Sequence, residues 1–171
     1  MKILIAYLSQ TGNTEKIARA IHREASKDHD AVLHSMGVEP SIDASGYDVI
    51  FVGSPCHAGA LSAGAKNFLE SIKEGTTSRL AGFITHASSA YQRDDYIHSM
   101  LFFEHFCKKN GIPYAGCYEC RGFLAPALHD MVKKSKKISD AEWKTIVEEM
   151  TGHPDAEDEE AAQDFARSVL A

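Results

Sequence analysis

Apolar residues run almost unbroken through residues 3–8, 47–52, 80–85 and 114–118, with a weaker run at 31–35. Runs of this length without polar alternation mark strands buried on both faces of a parallel sheet. Between them the spacing becomes helical. Ile17, Ala18, Ile21 and Ala25 share one face, and so do Ala65, Phe68, Leu69 and Ile72 within a helix predicted over 63–74. A long helix over 91–110 is stopped by Gly111 and Pro113. After Cys120 the pattern predicts a helix over 124–137 with a basic end and a second over 141–150, opened by a Ser139/Glu142 capping box. Thr151-Gly152-His153-Pro154 breaks the chain. Asp155 then caps a last helix, with Ala161, Ala162, Phe165, Ala166 and Val169 on one face and acidic residues in its first turns. Strands alternating with helices imply right-handed βαβ crossovers and an α/β fold with helices on both faces of the sheet.

At 171 residues the chain fits one domain, 1–171, with 124–152 as a helical extension before the last helix. The net charge of −6 argues against nonspecific nucleic-acid binding. The N-terminal apolar run ends after six residues in Ser9-Gln10, too soon for a signal peptide, and no stretch is long enough to span a bilayer. A cytoplasmic location is expected, with Cys56, Cys107, Cys117 and Cys120 mostly reduced.

The strongest chemical signal is the loop Ser9-Gln10-Thr11-Gly12-Asn13-Thr14 between the first strand and the first helix. It offers three hydroxyls, an amide and a row of backbone N–H groups at a helix N-terminus, which suits a phosphate monoester. Gly12 lets the backbone approach. The loop has no Lys or Arg, so a phosphate there is held by dipoles. It matches neither the nucleoside-triphosphate loop nor the dinucleotide fingerprint. The plain alternative is a polar loop whose Ser and Thr cap a helix.

The run Tyr7 to Thr14 after an apolar strand resembles the FMN-phosphate signature of the flavodoxin family. The resemblance implies a flavodoxin-like doubly wound five-stranded parallel sheet of order 2-1-3-4-5, here with extra C-terminal helices, and FMN as cofactor. It also implies two loops flanking the isoalloxazine ring. The first, Gly53 to Gly59, contributes Ser54, Pro55, Cys56, His57, Ala58 and Gly59. Electron-transfer flavodoxins often place an aromatic residue here, where this chain has Cys56 and His57. The Gly-Ser-Pro-x-x-x-Gly form is also similar to flavodoxin-like quinone reductases. The second loop contributes Thr85, His86 and Ala87, with Tyr91 stacked on the outer ring face.

Other signals are weaker. Cys117-x-x-Cys120 lacks the second pair a zinc site needs and ends a strand rather than opening a helix, so structural cysteines are expected. His98 and His105 are two turns apart on one helix, too far for one metal. Lys133, Lys134, Lys136 and Lys137 form a local basic patch, read first as a solvated helix end. No Ser-His-Asp order or paired carboxylates stand out. The resemblance leaves two flavin-dependent functions open, beside a regulatory or scaffold protein of this fold that has lost its flavin, which the intact hydroxyl-rich loop argues against. One is an electron-transfer flavodoxin serving redox partner proteins such as a reductase or an iron-sulfur protein. The other is an FMN-dependent NAD(P)H:quinone-type oxidoreductase with a small quinone-type acceptor, whose site would be built between subunits of a homo-oligomer.

Overall fold

The computed structural model describes residues 1–37, 41–88 and 94–171. Strand β1 (Lys2–Tyr7) lies between β2 (Asp30–Ser35) and β3 (Val49–His57), and β5 (Arg79–His86) and β6 (Tyr114–Arg121) extend the sheet beyond β3. All these pairings are parallel, in the order β2-β1-β3-β5-β6. A two-residue strand, β4 (Ala60–Leu61), folds back antiparallel on the end of β3. With β4 set aside, the five main strands take the predicted 2-1-3-4-5 order.

Helices cover both faces because β1 feeds both. Ile3, Ile5 and Tyr7 point to a core shared with α1 (Asn13–Ala25) and α6 (Ala156–Leu170). Leu4 and Ala6 point to the opposite core, shared with α2 (Ala63–Ser71) and α3 (Asp94–Asn110). A strand buried on both sides has no position where a polar residue is cheap, which is why the sequence shows an unbroken run. Each large aliphatic side chain buried this way contributes about 1.5–3 kcal/mol. Among the described residues, no helix is long and apolar enough to cross a membrane.

Several boundaries differ from the sequence pattern. β3 continues through Gly53-Ser54-Pro55 to His57. Gly53 serves a close approach, since a Cβ there would sit 2.1 Å from the Phe83 ring. α2 stops at Ser71 because Ile72 turns extended and buries its side chain. The predicted 124–137 helix is shorter. Pro126 holds Ala125 extended, a single 3-10 turn follows over Pro126–Leu128, and α4 (His129–Ser135) begins only after it. α3 starts at Asp94 among the described residues, and the predicted start at 91 lies outside them. α5 (Asp140–Met150) opens on the expected Ser139/Glu142 capping box, and α6 on an Asp155/Asp158 box.

Cys117 and Cys120 do not form a dithiol. Cys120 sits in the α1/α6 core, whereas Cys117 packs against the α2/α3 core, as an odd spacing on a strand requires. Burial pushes both thiols up, and none of the four cysteines is in a disulfide.

Candidate functional site: a two-part cleft at the strand ends

The site lies at the carboxyl ends of β1, β3 and β5, where the strand order reverses and parallel α/β sheets open a crevice. β1 hands the chain to the polar loop as the Leu8 N–H donates to Gly53 O (3.0 Å). Gly12, at φ +90°, makes the turn into α1. Its N–H donates to Ser9 Oγ at 3.1 Å. Ser9 therefore shapes the loop and does not cap the helix. The N-terminus of α1 has no side-chain cap, whereas Ser62, Ser139 and Asp155 cap α2, α5 and α6. The first-turn N–H groups of α1 and its positive dipole end stay available to an anion.

Asn13 ties the loop across the site. Its Nδ2 donates to Thr11 Oγ1 (3.2 Å) and to Phe123 O (2.9 Å), beyond β6. Gly122 makes this approach feasible, since a Cβ there would lie 2.7 Å from Asn13 Nδ2. Thr14 is buried, and its hydroxyl shares a hydrogen bond of 2.8 Å with that of Thr85. One of the pair's two protons closes that bond; the other remains to be donated elsewhere.

The second side comes from β3 and β4. Cys56 pairs with Leu61 and His57 with Ala60, leaving Ala58 and Gly59 as a two-residue turn. Both turn residues have positive φ, +50° and +81°, the requirement of a tight primed hairpin. An alanine there costs about 1 kcal/mol or more of backbone strain. Ser54 is fully buried. Its hydroxyl donates to Ser62 Oγ (3.0 Å) and accepts the Ser62 N–H (2.9 Å), which locks the start of α2.

The third side is the end of β5. His86 is buried and both its nitrogens are engaged. Nε2 lies 2.7 Å from Glu119 Oε2, and Nδ1 accepts the Ser88 N–H at 3.2 Å. With Nδ1 accepting, the ring proton belongs on Nε2, donated to Glu119. Tyr96 stacks flat on the imidazole, with centroids 3.9 Å apart.

These sides enclose two joined spaces. A cleft of about 90 Å³ is bounded by Gln10, Thr11, Asn13 and Thr14 on one side and by Pro55, Thr85 and Gly122 on the other. Among the described residues, no lysine or arginine lines it. Cys56, His57, His86 and Ala87 border both this cleft and a larger cavity of about 400 Å³ that also takes in Ala58 and Gly59. Most of the residues singled out in the sequence are thus brought to one place. Ser9 and Gly12 shape the loop without lining either space. Ser54 is buried against Ser62 and lines neither space, and Tyr91 lies outside the described residues. The sequence pattern left the role of 124–152 open between covering the core, a subunit contact and a cap on the ring site; the far wall of the cavity is contributed by Phe123, Leu124 and the apolar positions of α4 and α5. Their helical spacing was visible, but it reads the same for a core stripe as for a cavity wall.

His153, Asp155 and Asp158 bring one donor atom each within 4.8 Å of one another. Their hydrogen bonds belong to the α6 capping box, with His153 Nδ1 2.6 Å from Asp158 Oδ2.

Comparison with known proteins bears on the fold that carries this site. A flavodoxin-like domain-containing protein, BilS of Clostridioides difficile (strain CD3), is 29% identical over 176 residues, spanning 99% of this chain and 97% of its own. Oxidised flavodoxin 1 of Bacillus cereus superposes with a TM-score of 0.68 at 18% identity, over 99% of this chain and 97% of that one. A Lactobacillus acidophilus flavoprotein, solved in complex with FMN, superposes with a TM-score of 0.54 at 21% identity, over 79% of this chain and 97% of that one. The family model described as "Flavodoxin domain" matches residues 4–167. On that match, laid over a sheet of the same strand order, the chain belongs to the flavodoxin domain family.

Proposed function

We propose that this chain binds one FMN non-covalently and carries electrons between redox partner proteins in the cytoplasm. The observation that carries the reading is the uncapped α1 N-terminus. With Thr11, Asn13 and the Thr14/Thr85 pair it presents a neutral, donor-rich cleft, and that cleft opens into a cavity of about 400 Å³. The cleft suits a phosphate monoester without a counter-cation, and the cavity lies in the usual range for small-molecule sites. FMN solved in a flavoprotein of this fold supports the same ligand. FMN supplies the reversible one- and two-electron chemistry. The chain's own residues hold the phosphate with hydroxyls and amides, set the backbone of the Ala58-Gly59 turn against the ring site, and keep water from one side of it.

An electron carrier is favoured over an oxidoreductase by His86. Its two nitrogens are committed to Glu119 and Ser88, so this buried imidazole has no free nitrogen to exchange a proton with a substrate. The second reading, an FMN-dependent NAD(P)H:quinone-type oxidoreductase, draws on the Cys56–Gly59 stretch. Among the described residues that stretch offers no Phe, Tyr or Trp to cover the ring site, which would give a small acceptor access. Reduction of FMN-loaded protein by dithionite and then by NADH or NADPH separates the two. Two resolved one-electron steps and no response to the nicotinamides are expected. Rapid bleaching by a nicotinamide with quinone turnover would select the oxidoreductase, and a protein that takes up no FMN would sink both.

A further inference from the structure

We propose that the helical segment from Leu124 to Ile146 is the outer half of the ring site, with Met131 and Leu128 of the 3-10 turn and α4 packing directly on the face of the bound aromatic ring system. This deepens the FMN reading and rests on it.

Leu128 and Met131 are 40% and 59% exposed, among the few large apolar side chains left open to solvent in the described residues. Both line the same cavity. With Val132 they form an i, i+3, i+4 stripe, the pattern that normally faces a core. Trp143 and Ile146 of α5 bring a matching i, i+3 pair to the same space. None of these five side chains belongs to either of the two cores that flank the sheet. Leu128 and Met131 thus face an open gap, while Ile146 of α5, itself buried, backs the same space. Two large apolar groups held open toward one shared space mark a ligand surface.

The wall is built to keep its place. His129 Nε2 donates to Leu124 O at 2.9 Å. The imidazole meets Phe123 and Trp143 edge-on, at 5.7 and 5.3 Å between centroids. Lys133 pairs with Asp140 across the turn between α4 and α5. The root of the wall is fixed to the phosphate loop itself, because Asn13 donates to Phe123 O. Across the gap stands the Cys56–Gly59 stretch, whose side chains are small apart from His57. A flat ring system inserted between them meets backbone on one face and aliphatic and thioether groups on the other. Sulfur against an aromatic ring is a favourable contact. The ligand class is therefore a planar heteroaromatic ring system reaching in from the phosphate cleft.

The test uses the full chain with FMN, with lumiflavin (the ring without ribityl phosphate) and with inorganic phosphate. Trp143 is the one tryptophan in the sequence, so its indole N–H gives a single NMR resonance. Lumiflavin and FMN should shift it, and phosphate should not. Met131→Glu should raise Kd for both flavins at least tenfold, with Met131→Ala weaker in the same direction. Lys134→Glu, on the same helix, should leave both within twofold. Thr11→Val should weaken FMN and spare lumiflavin. Because Met131 is exposed, folding of these variants is expected to persist, checked by circular dichroism. FMN binding that ignores both Met131 variants, or leaves Trp143 unmoved, overturns the wall assignment while the FMN reading stands. Lumiflavin bound in a Met131-sensitive way without FMN affinity keeps the wall and removes FMN. Binding of neither flavin removes both.

Discussion

At the scale of residues, the site depends on one missing side chain. Gly122 lets Asn13 reach over to Phe123 O, and any Cβ there would stand within 2.7 Å of the amide nitrogen. Gly122→Ala should break that bond and shift one of the two loops. A loss of about 1–3 kcal/mol is expected from the overpacking. FMN affinity should fall as well, since the amide also steadies Thr11. Thermal melts and flavin fluorescence titrations check the two effects separately; unchanged FMN affinity would show that the tie does not organise the cleft. The residue types of the phosphate loop were legible in the sequence because hydroxyls, glycine and helix start coincide there. The direction of Ser54 was not. Adjacency to a loop says nothing about which face of β3 a side chain takes, and Ser54 turned to Ser62.

Among the elements, α1 and α6 are joined by Glu24, a mostly buried carboxylate. Lys27 Nζ lies 2.7 Å from it and Arg167 Nη1 2.9 Å. The hydrogen bond from Lys27, followed by that from Arg167, holds this carboxyl below its ordinary range against the cost of burial. A carboxyl depressed on folding adds stability above its unfolded pKa, and that stability drains away as pH falls through the folded pKa. Glu24→Gln should therefore cost about 1 kcal/mol near neutrality. The gap from the wild type should close as pH drops below the normal glutamate range. Melting curves at several pH values report it, and a gap independent of pH would place the effect in packing. Helix starts were legible where a capping box announces them, at Ser139 and Asp155. β4 was invisible because two residues carry no period, and the break before α4 was set by Pro126, whose effect on Ala125 the apolar pattern does not register.

For the molecule as a whole, the fold was readable because the sheet is buried on both faces, and burial of that kind writes itself into long apolar runs. The far wall of the site was not, since α4 and α5 carry ordinary amphipathic spacing and only three-dimensional placement shows that their stripes meet a gap. If that gap holds the flavin ring, ligand and wall should order one another. At one hundred times Kd, FMN should add about 2.7 kcal/mol to the unfolding free energy. Amide exchange over residues 124–146 should slow by more than it does in the strands of the sheet, as befits a locally weaker unit. Uniform protection across the chain would mean that the helices were already rigid without it.

The share of α6 in the core has a consequence for how the protein is made. Ala162, Ala166 and Val169 close the same face as Ile3, Ile5 and Phe51, yet the ribosome adds them after every strand has been synthesised. Until α6 leaves the exit tunnel, only α1 covers that side of the nascent sheet, and the remainder is an adhesive surface. Stalled or shortened chains ending before Ala156 should be the ones that chaperones hold and proteases clear.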